Sequence, residues 1–284
     1  MIRISTHRID GGDAALHAEL YLPGAEKGAP PYAAALICHG LTSSSAEVRE
    51  AAVALARRGL AAMPFDFRGH GRSEGVCDRS QHLDVLAALR YLQRLPQVDG
   101  TRLAVVGHSS GARAAVLAAG VTSRIAAVVS LSLAPDGLAQ EMAQMAKVLK
   151  PQNGSAARFK AVARLLYRGA RSGPRRALQL AVLLTRLPRL RIDWAKMAAG
   201  WAEVSLTQAL SAMAPRPVLF VHCQGDWATP PAASIAAFHA YRGPRELWLE
   251  PGGFHSTPLH SRGLRERWAD WLYRRLCDSA PAGA

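Results

Sequence analysis

The sequence lacks a long hydrophobic run, although 49% of its 284 residues are hydrophobic. A membrane-spanning helix needs about 20 consecutive apolar residues, and the longest candidates here, such as the run 178–184, are much shorter. The N-terminus reads MIRIST and contains no apolar core of signal-peptide length. We therefore expect a soluble, cytoplasmic protein.

Cysteine is also scarce, and the four cysteines show neither a C-x-x-C pattern nor zinc-ligand spacing. Cys38 and Cys223 lie in apolar runs, so we expect buried thiols at both positions. A disulfide between them is the less favoured alternative, because nothing in the sequence marks the chain as secreted. The other two cysteines are Cys77 and Cys277.

Acidic residues are few: 21 Asp and Glu stand against 35 Lys and Arg, which gives a formal net charge of +14. Such an excess is found in proteins that bind nucleic acids, membranes or acidic substrates. Here the basic residues are mostly arginines in a chain rich in Ala and Gly, a bias that genomic codon composition produces without any function. No dense Lys/Arg run with interleaved aromatics is present, so we expect no nucleic-acid partner.

The sequence does contain a regular alternation of short apolar runs and amphipathic segments. Two strands, 2–9 and 15–22, are predicted to pair around the turn Asp10-Gly11-Gly12. Strand and helix patterns then alternate up to residue 133, which predicts a mostly parallel, doubly wound sheet of the α/β class. The strands are predicted at 33–38, 60–65, 103–106 and 125–133, and the helices at 46–58, at 81–95 and after residue 111.

This alternation stops between residues 135 and 214, where only helical signals and Gly/Pro breaks occur. The segment carries thirteen basic and four acidic residues, and so +9 of the net charge of +14. The alternation returns with strands at 217–223 and 246–250 and helices at 231–241 and 259–277. We therefore predict three parts: a first part of an α/β core at 1–134, an inserted helical lid at 135–214 and a second part of the core at 215–284.

Amphipathic spacing also predicts which side chains face the core. In the helix at 81–95 these are Leu83, Leu86, Leu89 and Leu92. In the helix at 46–58 the inward side carries Val48, Ala52, Leu55 and Ala56.

The run 107–111 reads Gly-His-Ser-Ser-Gly and directly follows a predicted strand. The pattern G-x-S-x-G requires a strand, a sharp turn that carries the serine, and then a helix. Glycine suits both ends because the turn is strained and its backbone passes close to neighbouring groups. We therefore predict that the Ser109 hydroxyl is a nucleophile at the carboxyl edge of the sheet.

A serine hydroxyl is a poor nucleophile at neutral pH and needs a general base. Histidine can take the proton and return it, and a carboxylate fixes the tautomer of the imidazole. The order serine, acid, histidine along the chain is the one expected for this turn. Ser109, Asp226 and His255 follow that order, and each comes directly after a predicted strand.

Other residues compete for these roles. We prefer His255 as the base because two glycines precede it and free its loop. Asp66 precedes the serine, and we expect it to brace its own glycine-rich loop. The remaining alternatives are Asp136 for the acid and His222, His239 and His260 for the base.

Acyl transfer also needs hydrogen-bond donors for the oxyanion that develops on the substrate. The backbone N–H of Ser110 follows the nucleophile at the start of a helix, where N–H groups lack helical partners. A second donor should come from the loop after Cys38. The backbone N–H of Leu41 is the best placed in that loop.

Five motifs together resemble the α/β-hydrolase superfamily. The resemblance covers residues 20–133 and 215–275, and within the superfamily it points to cinnamoyl/feruloyl esterases, monoacylglycerol-lipase-like enzymes and serine-aminopeptidase-like hydrolases. It implies an α/β-hydrolase fold with a mostly parallel doubly wound sheet and an inserted helical lid. One departure is Ala112, where such turns often carry a further glycine. The motifs are His-Gly-Leu-Thr at 39–42, Asp-Phe-Arg-Gly-His-Gly-Arg-Ser at 66–73, Gly-His-Ser-Ser-Gly at 107–111, Gly-Asp at 225–226 and Gly-Phe-His at 253–255.

The resemblance implies a serine hydrolase (a carboxylic ester hydrolase) that cleaves its substrate through an acyl-enzyme on Ser109. Asp226 and His255 would complete the catalytic triad, and Leu41 and Ser110 would form the oxyanion hole. No metal and no organic cofactor are implied, and the expected partner is a small-molecule ester, acidic or with an aryl or acyl group. The alternatives are a thioesterase, lipase or amidase with the same residues, or a non-catalytic binding protein on a hydrolase scaffold.

The lid leaves two further choices open. Its apolar residues either pack into a core of their own or line an acyl or aryl pocket. Its basic charge either lies on solvated helix faces or attracts carboxylate substrates or an anionic membrane surface. The apolar residues are Leu165, Leu166, Leu178, Leu180, Leu183, Leu184, Trp194 and Trp201.

Overall fold

The structure is a computed structural model that describes residues 1–79, 81–138, 140, 143, 190–226 and 228–278. The described residues form eight strands. These are β1 (Arg3–Asp10), β2 (Ala15–Leu22), β3 (Tyr32–Cys38), β4 (Ala61–Phe65), β5 (Val98–His108), β6 (Ile125–Leu131), β7 (Val218–Cys223) and β8 (Arg245–Glu250).

The α-helices of the described residues mostly follow the strands along the chain. They are α1 (Arg49–Ala56), α2 (His82–Gln93), α3 (Ser110–Val121), α4 (Trp194–Ala202), α5 (Leu206–Met213), α6 (Ala232–Ala240), α7 (Thr257–His260) and α8 (Arg262–Tyr273). Shorter turns complete the described elements, with 3-10 turns at Ala25–Lys27 and Ser45–Val48 and a π-helical turn at Arg274–Asp278.

The strands form one sheet in the order β1-β2-β4-β3-β5-β6-β7-β8. β1 pairs antiparallel with β2, and β2 pairs antiparallel with β4. Every other neighbouring pair is parallel. The predicted mostly parallel, doubly wound α/β sheet is therefore confirmed. The carboxyl ends of β3, β5, β6, β7 and β8 meet at one edge, where open sheets of this kind bind ligands.

Helices cover both faces of the sheet, as the alternating side chains of β3 show. Leu36 and Cys38 contribute to the apolar core on the side of α2, α3, α5 and α6. Ala35 and Ile37 contribute to the core on the side of α1 and α8. Because side chains alternate along a strand, a strand covered on both faces is a continuous apolar run. This explains the sequence of β3.

The predicted inward face of α2 was wrong at one position. Leu83 is 43% exposed, whereas Val85 and Leu89 are buried in the core. In a helix with 3.6 residues per turn, a position two residues before Val85 lies on nearly the opposite side of the axis. Leu83 therefore faces solvent, and Val85 occupies the core position that was predicted for Leu83.

The single final helix predicted at 259–277 was also wrong, because the chain forms two helices and a π-helical turn there. Ser261 separates the helices with an extended backbone, and its hydroxyl accepts a hydrogen bond from the Leu264 N–H. Serine competes for backbone donors in this way and so favours the first position of a helix over its interior. His260 therefore belongs to the short helix α7.

Most of the predicted lid, including all of its leucines named above, lies outside the described residues. Of that segment, α5 packs against α3 so closely that a Cβ at Gly120 would lie 2.6 Å from the Cα of Ala209. Leu210 and Met213 are buried in the same core as the sheet. Helix α5 therefore packs on α3 and belongs to the core on that side of the sheet. The domain boundaries at 134/135 and 214/215 remain predictions.

The four cysteines carry free thiols, and Cys38, Cys77 and Cys223 are buried. The expected buried thiols at Cys38 and Cys223 are thus confirmed, and no disulfide joins them. None of the described helices combines the length and apolarity that a membrane crossing requires.

A buried ion pair anchors the glycine-rich loop that follows β4. The Arg68 side chain is 4% exposed and that of Asp84 is 1% exposed, and the closest approach of Arg68 Nη2 to Asp84 Oδ1 is 2.6 Å. The Arg68 N–H also donates to Asp84 Oδ2 at 3.0 Å. Removing one partner of such a pair leaves a buried charge without compensation.

We therefore expect Arg68→Leu to lower the free energy of unfolding by about 3–5 kcal/mol, measured by urea denaturation. The matched control is Arg8→Leu, since the side chains of Arg8 and Glu74 are 74% and 55% exposed in their pair. Exposed pairs contribute about 0–1 kcal/mol. Equal losses in the two variants would contradict the importance of burial at Arg68.

Candidate active site

Ser109 lies at the sharp turn between β5 and α3. Its backbone has φ 58° and ψ −120°, an uncommon conformation for a residue other than glycine. The Ser109 N–H donates to the Leu131 carbonyl at 2.9 Å, and its own carbonyl accepts from Ala112 N–H at 3.0 Å. These bonds hold the turn between β6 and the first turn of α3. The strand, turn and helix expected around Ser109 are present.

Both glycines of the motif are required by close approach. A Cβ at Gly107 would overlap the Gly111 carbonyl, and a Cβ at Gly111 would overlap the carbonyls of Cys38 and His39. Ala112, the departure from the usual pattern, is fully buried between helix and sheet. The small side chain at 112 therefore preserves close helix–strand packing.

The loop after β3 lies directly against Ser109. A Cβ at Gly40 would lie 3.3 Å from the Cβ of Ser109, so this glycine lets the loop approach the serine. The backbone N–H groups of Leu41 and Ser110 donate no hydrogen bond to another group in the described part of the chain. Both groups belong to segments that meet at Ser109. Two N–H donors next to this serine are therefore available to a ligand.

Asp226 lies in the loop after β7 and is 3% exposed. Its Oδ1 accepts hydrogen bonds from the backbone N–H groups of Ala228 at 2.9 Å and Thr229 at 3.1 Å. Its Oδ2 lies 2.8 Å from Nδ1 of His255 and accepts from Thr229 Oγ1 at 3.1 Å. The carboxylate is therefore fixed in orientation and bound to the imidazole of His255.

His255 follows Gly252 and Gly253, whose φ angles of 72° and 74° lie in the left-handed region that glycine adopts without strain. The carbonyl of His255 accepts from His108 Nε2 at 2.9 Å and from Ser132 Oγ at 2.8 Å. These two donors hold the backbone of His255 above the end of β6. The imidazole is 18% exposed.

The hydroxyl of Ser109 makes no hydrogen bond to the imidazole of His255 within the described residues. The Nδ1 atom of His255 faces Asp226 Oδ2 at 2.8 Å, so Nδ1 carries the proton when the ring is neutral. Nε2 then has a free lone pair that can accept a proton. In unliganded enzymes, catalytic hydrogen bonds are often long and shorten only when substrate binds.

Hydrogen bonding determines the charge of the acid. Burial alone raises the pKa of Asp226, but hydrogen bonds from His222, His255 and the Thr229 backbone outweigh it and hold that pKa well below its usual value. An unfolded aspartate titrates near pH 4. The charged Asp226 therefore stabilises the fold fully above about pH 4, and this contribution declines as the pH falls towards the lowered pKa.

His108 is neutral where Asp226 contributes fully to stability, above about pH 4. Burial, together with the neighbouring His255, lowers the pKa of His108 to about 3. Its ring centroid lies 4.6 Å from that of His255. A neutral His108 donates from Nε2 to the His255 carbonyl without adding charge to the site.

The alternative site residues lie in other surroundings. Asp136 pairs with Arg113, whose Nε lies 3.0 Å from Asp136 Oδ1. His239 and His260 are exposed on α6 and α7. His222 is fully buried, with Nε2 at 3.2 Å from Asp226 Oδ2 and 2.7 Å from the Thr229 carbonyl. His222 therefore contacts the carboxylate of Asp226 and helps to hold it in place.

Helix α4 packs over the loop that carries Leu41. Met197 and Trp201 of α4 form a buried cluster with Leu41, Cys77 and Ala134. The burial of Trp201 indicates that this side chain packs into a core and does not line an open pocket. No group of three or more His, Cys, Asp or Glu side chains suited to a metal ion occurs among the residues that the structure describes.

The sequence did not indicate two residues of this site. Thr229 contacts both Asp226 and His255 through its hydroxyl, and nothing in its local pattern marks it. Ser132 directly follows β6 at the carboxyl edge of the sheet, and its φ of 51° is unusual. A polar residue at that edge was a signal that could have been used.

Comparisons with known proteins agree with this fold. The family described as serine aminopeptidase, S33, matches residues 29–260. The structure is similar to that of Est1E from Butyrivibrio proteoclasticus with ferulic acid bound, with a TM-score of 0.69 and 20% identity over 95% of this chain and 98% of that chain.

Two curated relatives are similar over shorter stretches. The quorum-quenching protein AidA of Acinetobacter baumannii is 32% identical over 145 residues, which are 48% of this chain and 46% of AidA. The thiohydrolase apmlB of Arthrinium phaeospermum is 35% identical over 91 residues, 30% of each chain. The chain thus spans less than half of the length of the curated relatives that it matches. Since the family match covers most of the chain, the protein belongs to the serine aminopeptidase S33 family and has the α/β-hydrolase fold.

Proposed function

We propose that the protein is a serine hydrolase that cleaves carboxylic esters through an acyl-enzyme on Ser109. The observation that supports this most is the convergence at one sheet edge of Ser109 in its strained turn and of His255 bound to a buried, charged Asp226. The N–H groups of Leu41 and Ser110 next to Ser109, which have no acceptor among the described residues, add to that support.

In the acylation step, Ser109 Oγ attacks the carbonyl carbon of the ester while His255 Nε2 takes the hydroxyl proton. The oxyanion of the tetrahedral intermediate accepts hydrogen bonds from the Leu41 and Ser110 N–H groups, which are worth a few kcal/mol each. The intermediate then collapses, the bond to the alcohol oxygen breaks, and the proton passes from His255 to that oxygen. The products are the alcohol and an ester of the acid on Ser109.

Deacylation uses the same residues with water as the nucleophile. Nε2 of His255 takes a proton from water, and the hydroxide attacks the acyl carbon. The tetrahedral intermediate collapses with return of the proton to Ser109 Oγ, and the carboxylic acid leaves. Throughout, Asp226 holds the Nδ1 tautomer of His255 and stabilises its charged form.

The similar proteins suggest two substrate classes for this mechanism. Est1E has ferulic acid bound, which favours an aryl or acyl ester. The thiohydrolase apmlB favours a thioester as the second candidate. We propose that the segment 135–214 acts as a lid and selects the acyl group, and that its basic charge favours acidic substrates.

A substrate panel tests this function. It contains p-nitrophenyl esters from short to long chain, methyl ferulate, an acyl thioester and a p-nitroanilide, each with wild type and Ser109→Ala. We expect Ser109-dependent turnover that is fastest with short or aryl esters. A thioester preference above about tenfold would indicate a thioesterase instead. No Ser109-dependent turnover of any compound would contradict a hydrolase and favour a binding protein.

A further inference from the structure

The glycine-rich loop 66–73 has no part in the mechanism above, yet it contacts the loop that carries Leu41. His70 of this loop is fully buried. Its Nε2 lies 2.6 Å from the Leu41 carbonyl oxygen, and its Nδ1 lies 2.9 Å from the Arg68 carbonyl oxygen. A carbonyl can only accept, and a neutral imidazole has one N–H. We assign that N–H to Nε2, which makes the shorter contact, so that it donates to the Leu41 carbonyl.

A second buried histidine, His39, forms a hydrogen bond with the carbonyl of Gly40, the residue before Leu41. His39 Nε2 accepts a hydrogen bond from the Phe67 N–H at 3.1 Å, so the ring proton lies on Nδ1. That Nδ1 donates to the Gly40 carbonyl at 2.7 Å. Burial and the neighbouring His70 hold the pKa of His39 well below its usual value, so this neutral form persists at neutral pH.

The planarity of the peptide unit links these contacts to Ser109. The Gly40 carbonyl and the Leu41 N–H belong to the same peptide plane and point in opposite directions. The carbonyl accepts from His39 and, at 3.1 Å, from the Ser43 N–H, so the direction of the Leu41 N–H is fixed. The bond from His70 fixes the next peptide. Donors on a carbonyl also polarise the N–H of the same unit.

We propose that His39 and His70 are positioning residues, which hold two successive peptides of the Gly40–Leu41 loop and so aim the Leu41 N–H at the substrate oxyanion. Neither imidazole touches substrate. The two rings, 5.2 Å apart between centroids, form one buried unit between the loops 39–43 and 66–73. The inference rests on the proposed function, because it assigns the Leu41 N–H to the oxyanion.

The test compares substitutions of His70 that place a hydrogen-bond donor at different distances from the backbone of residue 70. In His70→Gln the amide nitrogen reaches the position of Nε2 and can still donate to Leu41. In His70→Asn it reaches only the position of Nδ1, next to the Arg68 carbonyl. His70→Leu removes the donor. The matched control is His7→Gln, since His7 lies on the edge strand β1 and bonds to Ser5 and Tyr91.

Two readouts separate positioning from general support of the fold. One is kcat and KM for p-nitrophenyl acetate, and the other is the affinity for a trifluoromethyl ketone, which forms a tetrahedral adduct with serine. We expect His70→Leu and His70→Asn to lower kcat and ketone affinity together by roughly 10- to 100-fold with little change in KM. His70→Gln should recover most of both, and His7→Gln should match wild type.

Thermal melting identifies variants that fold. If His70→Leu does not fold, the Gln and Asn variants decide the question alone. Equal kcat and ketone affinity in the folded Gln and Asn variants would overturn the inference, as would a change confined to KM. A failure of the proposed function shows elsewhere: wild type would then lack Ser109-dependent turnover, and both proposals would be overturned.

Discussion

Ser109→Ala is expected to lower kcat for a p-nitrophenyl ester by on the order of 10⁵–10⁶-fold, the effect of removing the nucleophile from a serine hydrolase. The methyl group fits the turn, because the φ of 58° is set by the backbone bonds to β6 and α3 and not by the hydroxyl. The protein should therefore keep its fold. Initial rates at saturating substrate measure the effect, with circular dichroism as the check on folding.

The matched control for this loss is Ser130→Ala. Ser130 pairs with Gly107 across the sheet, and its buried hydroxyl has no hydrogen-bond partner in the described part of the chain. Removing it deletes a serine hydroxyl next to the turn without touching the proposed chemistry. A similar loss in both variants, or residual activity of Ser109→Ala above a few per cent, would show that another group attacks the substrate.

Asp226→Asn is expected to lower kcat by about 10⁴-fold. The amide group of an asparagine can donate to Nδ1 of His255, which moves the ring proton to Nε2 and prevents that atom from accepting the serine proton. The hydrogen bonds that Oδ1 of Asp226 accepts from the backbone of Ala228 and Thr229 can be kept by the amide oxygen. The geometry should thus survive while the tautomer is wrong. The measurement is the pH profile of kcat/KM for both proteins.

Asp136→Asn is the control for the acid, and it also tests the alternative acid considered from sequence. Asp136 pairs with Arg113 and its side chain is 57% exposed, so its loss should change kcat by less than about threefold. If Asp136→Asn lost as much activity as Asp226→Asn, the acid would have been assigned to the wrong strand end.

Much of the fold could be predicted from the sequence because its strands are covered on both faces. A run such as that of β3 has no polar side to show, and only a strand between two layers of helices accommodates it. One error fell where a local interaction overrode periodicity, because the Ser261 hydroxyl binds the first turn of α8 and the last helix is divided there. The other concerned the orientation of α2, whose helical period places Val85 in the core in place of Leu83.

The site could be predicted as far as its motifs extend. Ser109, Asp226 and His255 were assigned from chain order and strand ends, and the structure brings Asp226 and His255 into contact. The support around them could not be predicted, because it depends on contacts between distant loops. Thr229 bridges the acid and the base, and His70 reaches the Leu41 loop 29 positions away.

The most direct test of the central claim is to trap the acyl-enzyme. Wild type is mixed with p-nitrophenyl acetate, quenched in acid within the first turnovers and digested with trypsin, and the peptide 103–113 is fragmented in a mass spectrometer. An acetyl group on Ser109, absent from Ser109→Ala, is the result that we predict. Continued turnover with an unmodified Ser109, or an acetyl group on Ser110 instead, would contradict the account.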